Sequence, residues 1–305
     1  MIALLLALGI PNLFWEPNPE SAGALDQAGI ECPHVGPEKV AAWKAAGRCA
    51  MGADLSIAEK LPAPGVQYRM NEASASRSPW MDSNGWRFQR LGRRMVLYDL
   101  PKGKAELGLA EAAMYDAEAL MRIDPEDIKP YGEMLKFLES LDRASLPQPA
   151  NIGFLDDGSA MSGEIMNLMA RKNLLFKAVK QPDPKLDLNL KPEGNNPNEF
   201  AVMARQKLGD DKRLVRIYGS ETTLIRFESD GSRARLHLLN YASRKSEGLQ
   251  VRVLGNWRNV TVHHAPSGTE PASKGPAAEL VVADGATEFT IPSLAIYAVV
   301  ELRQN

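Results

Sequence analysis

The repeating pattern of the chain changes near residue 233, and this change limits the folds that the chain can adopt. Before it, short apolar runs alternate with segments of helical period, which is typical of βαβ units and a parallel sheet. After it, runs of alternating apolar and polar residues follow one another, separated by turn signals such as Asp284-Gly285. The sequence therefore predicts α/β structure followed by an all-β part, a C-terminal antiparallel β-sandwich over residues 231–305.

The first predicted domain covers residues 1–143. Short apolar runs at 10–16, 31–35, 49–54, 66–70, 94–99 and 119–124 are predicted strands, and helical patterns lie between most of them. This rhythm is that of a (β/α) barrel, but the segment is too short for eight full units. A partial or degenerate (β/α) barrel fits best, and a doubly wound sheet is the alternative.

A second α/β domain is predicted over residues 150–230, after a proline-containing linker at 142–149. Strands at 151–155 and 174–179 enclose a helix at 161–173, and another helix covers 197–208. Two further strands are predicted at 213–218 and 222–228. This pattern is typical of a flavodoxin-like α/β domain.

Charge and cysteine content exclude several classes of protein. The net charge is −2 and the basic residues are scattered, which argues against nucleic-acid binding. Two cysteines, Cys32 and Cys49, form one disulfide in an oxidising compartment or remain two buried thiols. Neither cysteines nor histidines have the spacing of metal ligands, so no metal and no other cofactor is predicted.

Residues 1–10 form an apolar run with the length of a signal-peptide core, too short to span a bilayer. No basic residue precedes it, so the alternative is a buried first strand in a cytoplasmic protein. A secreted or periplasmic location is the favoured expectation, and no later segment is apolar enough to cross a membrane.

Three stretches of the all-β part carry a family resemblance. They are Leu236-His-Leu-Leu-Asn-Tyr241, Val251-Arg-Val-Leu-Gly255, and Phe289-Thr-Ile-Pro292 followed by Tyr297-Ala-Val-Val300. This part resembles the β-sandwich that closes many multi-domain glycoside hydrolases. Residues 151–228 look like the glutamine-amidotransferase-like domain that often lies between a TIM barrel and such a sandwich. The resemblance implies a carbohydrate ligand and a homo-oligomer that associates through the middle domain.

The middle domain departs from this family in one respect. Amidotransferase chemistry uses a nucleophilic cysteine with a histidine, and residues 151–228 contain neither. We therefore expect this domain to be structural or to form a wall of a binding site.

Acidic residues stand at the ends of four predicted strands, at Glu16, Asp54, Asp99 and Asp124. Barrel enzymes place their reactive groups at this end of the strands, and glycoside hydrolysis needs two carboxyl groups. Glu16, Asp124 and Asp99 are therefore the candidate catalytic residues. The alternative is that each acid caps the helix that follows, as the prolines at 17, 101 and 125 indicate. Trp15 stands beside Glu16, where an apolar ring would raise the pKa of a carboxyl group.

A long polar segment at residues 71–87 contains two tryptophans. Sugars stack on aromatic rings and pair their hydroxyls with amide, carboxylate and guanidinium groups. The candidate substrate-binding residues are Trp15, Arg77, Trp80, Asp82, Asn84, Trp86 and Arg87. The alternative is a loop that its tryptophans pack onto the barrel mouth. In the segment 156–159, a helix cap is favoured over a ligand contact.

The sequence thus predicts a carbohydrate-active protein, a glycosidase with paired carboxylates at barrel strand ends. The alternative is a non-catalytic carbohydrate-binding or structural protein with a degenerate barrel.

Overall fold

The computed structural model describes residues 11–67, 79–91, 95–142 and 144–304. The chain forms two compact units. Unit 1 takes its residues from 1–65, 91–142 and 266–270, and unit 2 from 66–90, 143–265 and 271–305.

The first 142 residues contribute eight described strands and five helices. The strands are β1 Asn12–Phe14, β2 His34–Val35, β3 Met51–Gly52, β4 Glu59–Leu61, β5 Gly65–Gln67, β6 Trp80–Asp82, β7 Val96–Asp99 and β8 Ala119–Arg122. The helices are α1 Ala22–Ala28, α2 Val40–Ala45, α3 Gly85–Leu91, α4 Ala105–Met114 and α5 Ile128–Ser140. Of these, β4, β6 and α3 were not predicted, and α3 begins at the glycine of an Asn84-Gly85 pair, which is usually a turn signal.

Six of these strands form the parallel sheet of unit 1, in the order β3-β2-β1-β8-β7-β4. Every strand is parallel to its neighbours. β1, the first described strand, pairs with β8, the last strand of this sheet along the chain, whereas a doubly wound sheet has its last strand at an edge. The order is consistent with a partial (β/α) barrel, and β3 and β4 are the edge strands of the sheet in the part of the chain that the structure describes.

The strands β7 and β8 are buried almost throughout, as parallel strands covered on both faces usually are. Helix α5 crosses α1 at Gly132, where a Cβ atom would lie 2.6 Å from the carbonyl oxygen of Ala28. Glycine is required there because the two backbones nearly touch.

A disulfide joins Cys32 to Cys49, with 4.8 Å between the two Cα atoms. It links the segments that precede β2 and β3, which are strands of only two residues each. Of the two alternatives open from the sequence, the bonded one is therefore present.

The α/β part of unit 2 contains a three-stranded parallel sheet. Its strands are β9 Ile152–Leu155, β10 Phe176–Val179 and β11 Leu188–Leu190, and its helices are α6 Ala160–Arg171 and α7 Pro197–Leu208. The order β10-β9-β11 is that of the first three strands of a flavodoxin-like sheet. Phe154 and Phe200 meet edge to face in its core, with ring centroids 6.0 Å apart.

Nine further strands form two antiparallel sheets. They are β12 Val215–Tyr218, β13 Thr223–Ser229, β14 Arg233–Asn240, β15 Ser246–Leu254, β16 Asn259–His264, β17 Ser273–Pro276, β18 Ala278–Ala283, β19 Ala286–Leu294 and β20 Tyr297–Arg303. One sheet has the order β12-β15-β19-β18 and the other β13-β14-β20-β16-β17. Inward side chains of both sheets share one core that includes Leu236, Val251, Phe289 and Val300. This is the packing of a sandwich.

The antiparallel sheets begin before the predicted boundary at residue 231. β12 pairs with β15, and β13 pairs with β14 along its whole length. The predicted boundary therefore falls in the turn of the β13–β14 hairpin. No helix in the described ranges has the length and apolar character needed to span a bilayer.

Candidate functional site

Charged side chains from four strands or strand ends of unit 1 meet at the carboxyl ends of β1, β7 and β8. Arg122 ends β8 and contacts Asp99, which ends β7, through Nε–Oδ1 at 2.8 Å and Nη2–Oδ2 at 2.5 Å. Nη1 of Arg122 lies 3.1 Å from Oε1 of Glu16, and Nζ of Lys60 lies 2.6 Å from Oδ2 of Asp99. We call Glu16, Lys60, Asp99 and Arg122 the strand-end cluster.

The register of the parallel sheet produces this cluster. Arg122 is aligned with Asp99 on one side and with Phe14, two residues before Glu16, on the other. Parallel neighbours end at the same edge of a sheet, so side chains far apart in the sequence become adjacent there.

The cations of the cluster keep Asp99 ionised. Hydrogen bonds from Arg122 lower the pKa of Asp99 to about 2, against the opposing effect of burial and with help from Lys60. The same hydrogen bonds raise the pKa of Arg122. A carboxyl group with this pKa carries no proton near neutral pH, so Asp99 does not fit the part of a general acid.

Glu16 is the more accessible of the two carboxylates. Its side chain is 60% exposed, against 29% for Asp99. Its main-chain carbonyl oxygen accepts a hydrogen bond from Nζ of Lys39. The structure thus brings two of the three candidate catalytic acids onto one guanidinium group and leaves Glu16 facing solvent.

The third candidate, Asp124, has a different environment. Its Oδ1 accepts a hydrogen bond from the backbone N–H of Glu126 at 2.9 Å and caps the 3-10 turn that leads into α5. Asp54 caps the 3-10 turn Leu55–Ile57 in the same way. Its Oδ1 accepts a hydrogen bond from the backbone N–H of Ser56 at 2.9 Å, and hydrogen bonding to Ser56 lowers the pKa of Asp54. For both acids the geometry is that of the helix-cap alternative.

Trp15 is not placed to contact a substrate. Only 2% of its surface is exposed, and its Nε1 donates to Oγ of Ser21 at 2.8 Å. The apolar run of β1 continues through Trp15 into the core, so the ring is unavailable for stacking on a sugar. This corrects its prediction as a substrate-binding residue.

The first tryptophan of the predicted binding segment, Trp80, lies in unit 2 among polar partners. Its Nε1 donates to Oδ1 of Asp82 at 3.0 Å, and Oδ2 of Asp82 accepts from Gln67 at 2.6 Å. The guanidinium of Arg171 lies 4.9 Å from the ring centroid of Trp80 and donates to the carbonyl of Pro79 at 2.7 Å.

Trp86 is also covered by guanidinium groups, those of Arg87 at 4.2 Å and Arg90 at 5.4 Å from its ring centroid. Arg87 also donates to Oδ1 of Asn84, which is fully buried. Trp86 also packs against the core of the α/β part of unit 2. Both tryptophans are thus held by contacts within unit 2 and do not pack onto the barrel mouth, as the alternative had it. Arg77 lies outside the described residues.

The segment after β9 is held by Arg90. Its guanidinium binds both carboxylate oxygens of Asp156, at 2.8 and 2.6 Å. Oδ1 of Asp157 accepts from the N–H of Ser159 and the hydroxyl of Ser162, and these bonds lower the pKa of Asp157 to about 2. The favoured interpretation of this segment as a helix cap agrees with these contacts.

Sequence reasoning missed Arg122 and Lys60. Arg122 lies inside a predicted strand and two residues before Asp124, so its position at a strand end offered a signal. Lys60 lies on β4, which was not predicted, so the sequence offered no signal for it.

No family model and no curated protein matches this chain. Solved structures of glycoside hydrolases match it at low identity. An alpha-L-fucosidase isoenzyme 2 from Paenibacillus thiaminolyticus has 10% identity and a TM-score of 0.49, over 71% of this chain and 61% of that chain. A GH30 endoxylanase from Clostridium papyrosolvens has 7% identity and a TM-score of 0.27, over 97% and 96%. A rhamnosidase from Novosphingobium has 8% identity and a TM-score of 0.27, over 69% and 17%. The chain thus matches less than two thirds of the fucosidase, and at these TM-scores the likenesses carry no functional weight.

Proposed function

We propose that the protein binds carbohydrate at the strand-end cluster of a degenerate (β/α) barrel, and that it binds without hydrolysing. The observation that carries this proposal is the meeting of Glu16, Asp99, Lys60 and Arg122 at the carboxyl edge of the parallel sheet. Ligands of α/β folds bind at this edge.

The chemistry of the cluster suits a ligand rich in hydroxyl groups. Carboxylates accept hydrogen bonds from sugar hydroxyls, and guanidinium and ammonium groups donate to them. A hydrogen bond to a charged group contributes about 1.5–3 kcal/mol, so a few such bonds give measurable affinity. Glu16 and Lys60 are both mostly exposed and available for these contacts.

Two features support binding without hydrolysis. A glycosidase needs one carboxyl group that is protonated before the reaction, and the pKa of Asp99 is about 2. The carboxylate of Asp124 is occupied by its cap.

One observation favours a glycosidase as the second candidate. Glu16 and Asp99 contact the same guanidinium, so two carboxyl groups lie near each other at the strand ends. In that case Glu16 would be the acid and Asp99 the nucleophile or base.

A panel of neutral oligosaccharides tests the proposal by calorimetry and by a hydrolysis assay. We expect binding by the native protein, about tenfold weaker binding by Glu16→Gln from the loss of one charged hydrogen bond, and no released sugar. Asp26→Asn is the matched control, since Asp26 forms an exposed ion pair with Arg48 elsewhere in unit 1.

If the protein binds no member of the panel, the proposed function is refuted. Sugar release that Glu16→Gln abolishes and Asp26→Asn retains would establish the glycosidase instead.

The proposal includes an extracytoplasmic location and a flavodoxin-like middle domain through which copies associate. The Cys32–Cys49 disulfide supports the location, since disulfides persist in oxidising compartments. Residues 1–10 lie outside the described residues. Thiol counting on protein taken from its native compartment tests the location, and free thiols there would contradict it.

A further inference from the structure

The four-stranded sheet of the sandwich exposes one face that bears an ordered set of polar side chains. Cross-strand pairing aligns Arg216 with Arg252 and Arg252 with Glu288, and aligns Tyr218 with Gln250 and Gln250 with Thr290. Directly paired residues point to the same side of an antiparallel sheet. We call these six residues, contributed by β12, β15 and β19, the open sheet face.

The opposite side chains of the same strands fix the direction of this face. Val215, Val251, Val253, Phe289 and Ile291 are buried in the sandwich core. Because strand residues alternate, the residues between them point away from the core. Tyr218 is accordingly 45% exposed.

The two arginines of the face have donors without acceptors. In the part of the chain that the structure describes, Nε of Arg216 and Nη1 of Arg252 are buried and have no hydrogen-bond partner. The side chain of Arg252 is only 13% exposed, and its Nε lies 3.4 Å from Oε1 of Glu288. Buried polar groups of folded proteins normally have partners, so this pair of arginines lacks acceptors among the described residues.

The charges along the row Arg216, Arg252 and Glu288 also favour an anionic ligand. Arg216 and Arg252 are direct cross-strand neighbours, an arrangement that is destabilising for like charges. The carboxylate of Glu288 is 62% exposed and contacts Arg252. A second carboxylate, that of Glu279, accepts a hydrogen bond from the hydroxyl of Thr290 at 2.7 Å. An anionic group bound over the two guanidinium groups would offset their repulsion.

Tyr218 adds an aromatic surface next to these cations. Its side chain is two residues from Arg216 on the same strand, and the guanidinium of Arg216 lies 6.0 Å from its ring centroid. Gln250 and Thr290 continue this row across the next two strands. Aromatic, amide and hydroxyl groups beside an anion site fit a sugar that carries a carboxylate.

We infer that the open sheet face binds an acidic polysaccharide, with a uronate carboxylate between Arg216 and Arg252 and a sugar ring on Tyr218. This inference rests on the proposed carbohydrate-binding function and adds a second site with its own ligand class. It does not use the strand-end cluster.

Polygalacturonate is the probe, with dextran as the neutral polymer and poly-L-glutamate as a polyanion without sugar. We expect affinity electrophoresis to show retardation by polygalacturonate alone, and the retardation to weaken as salt is added. The double variant Arg216→Gln/Arg252→Gln should bind at least tenfold more weakly, and Tyr218→Ala severalfold more weakly. Arg258→Gln is the matched control, since it removes one exposed charge of the sandwich outside this face.

Unchanged binding by the double variant would overturn the inference, as would equal retardation by poly-L-glutamate. All of these side chains point outward, and thermal unfolding verifies that each variant is folded. The neutral-oligosaccharide test with Glu16→Gln measures binding at the strand-end cluster separately. If the protein binds neutral sugars but not polygalacturonate, this inference alone is overturned. If it binds polygalacturonate and only the open-face variants weaken that binding, the inference is supported, even if the strand-end cluster binds nothing.

Discussion

At the scale of single residues, Asp99 couples the strand-end cluster to the stability of unit 1. Its carboxylate is held by Arg122 and Lys60, and its pKa in the folded protein is about 2, compared with about 3.9 for an unfolded chain. A depressed pKa contributes stability above the unfolded pKa, and this stability is lost as the pH falls through the folded pKa.

The prediction for Asp99→Asn follows from this linkage. At pH 7 we expect the variant to be less stable than the native protein by about 1–2 kcal/mol, a value reduced for the solvent exposure of the pair. Between about pH 4 and pH 2 the difference should shrink, because the native carboxylate becomes protonated. Urea unfolding at pH 7 and pH 2.5 measures both, and an equal difference at the two pH values would contradict the assignment.

The residue scale also shows what sequence reasoning could find in the site. The strand-end rule located Glu16 and Asp99, because the end of a strand is visible in the local pattern. It could not find their link through Arg122, since that depends on the pairing of β8 with both β1 and β7. The tryptophans were assigned to a ligand because nothing in the local sequence tells which groups cover an aromatic ring.

At the scale of elements, the crossing of α1 and α5 gives a matched pair of glycine substitutions. A Cβ atom on Gly132 would meet the backbone of Ala28 at 2.6–2.7 Å, whereas a Cβ atom on Gly23 has nothing within 4 Å. Gly132→Ala should therefore destabilise the protein by about 1–3 kcal/mol through overpacking.

Gly23→Ala, on the facing helix, should stabilise the protein by about 0.5–1 kcal/mol. Alanine reduces the conformational entropy of the unfolded chain, so less entropy is lost when the helix forms. Urea unfolding of both variants is the measurement. A neutral Gly132→Ala would show that the two helices can separate at no cost.

The elements predicted best from the sequence are those with a long periodic pattern. α6 and α7 lie within two residues of their expected positions. The short pieces β4, β6 and α3 escaped prediction, because three to seven residues do not establish a period. The assignment of β12 and β13 to the middle domain used chain order alone, and pairing partners decide membership in a sheet.

At the scale of the whole molecule, the pairing of β12 and β13 makes a prediction about cooperativity. If these strands belong to the sandwich sheets, the amides of Thr223–Ser229 should exchange with deuterium as slowly as those of Arg233–Asn240, their hydrogen-bonded partners. Exchange of β13 together with β9 and ahead of β14 would instead favour a boundary at residue 231. Hydrogen exchange of the full-length protein, read by mass spectrometry of peptides, makes this comparison.

The parallel sheet of unit 1 also constrains how the chain is made. β1 pairs with β8, and Asn12 is aligned with Leu120. The central strand pair of the sheet therefore joins segments that are synthesised far apart in time. Until Arg122 has left the ribosome, β1 has an unpaired edge, and loop closure of this length is slow. The α/β unit therefore has a long interval during translation in which the unpaired edge of β1 is open to misassociation.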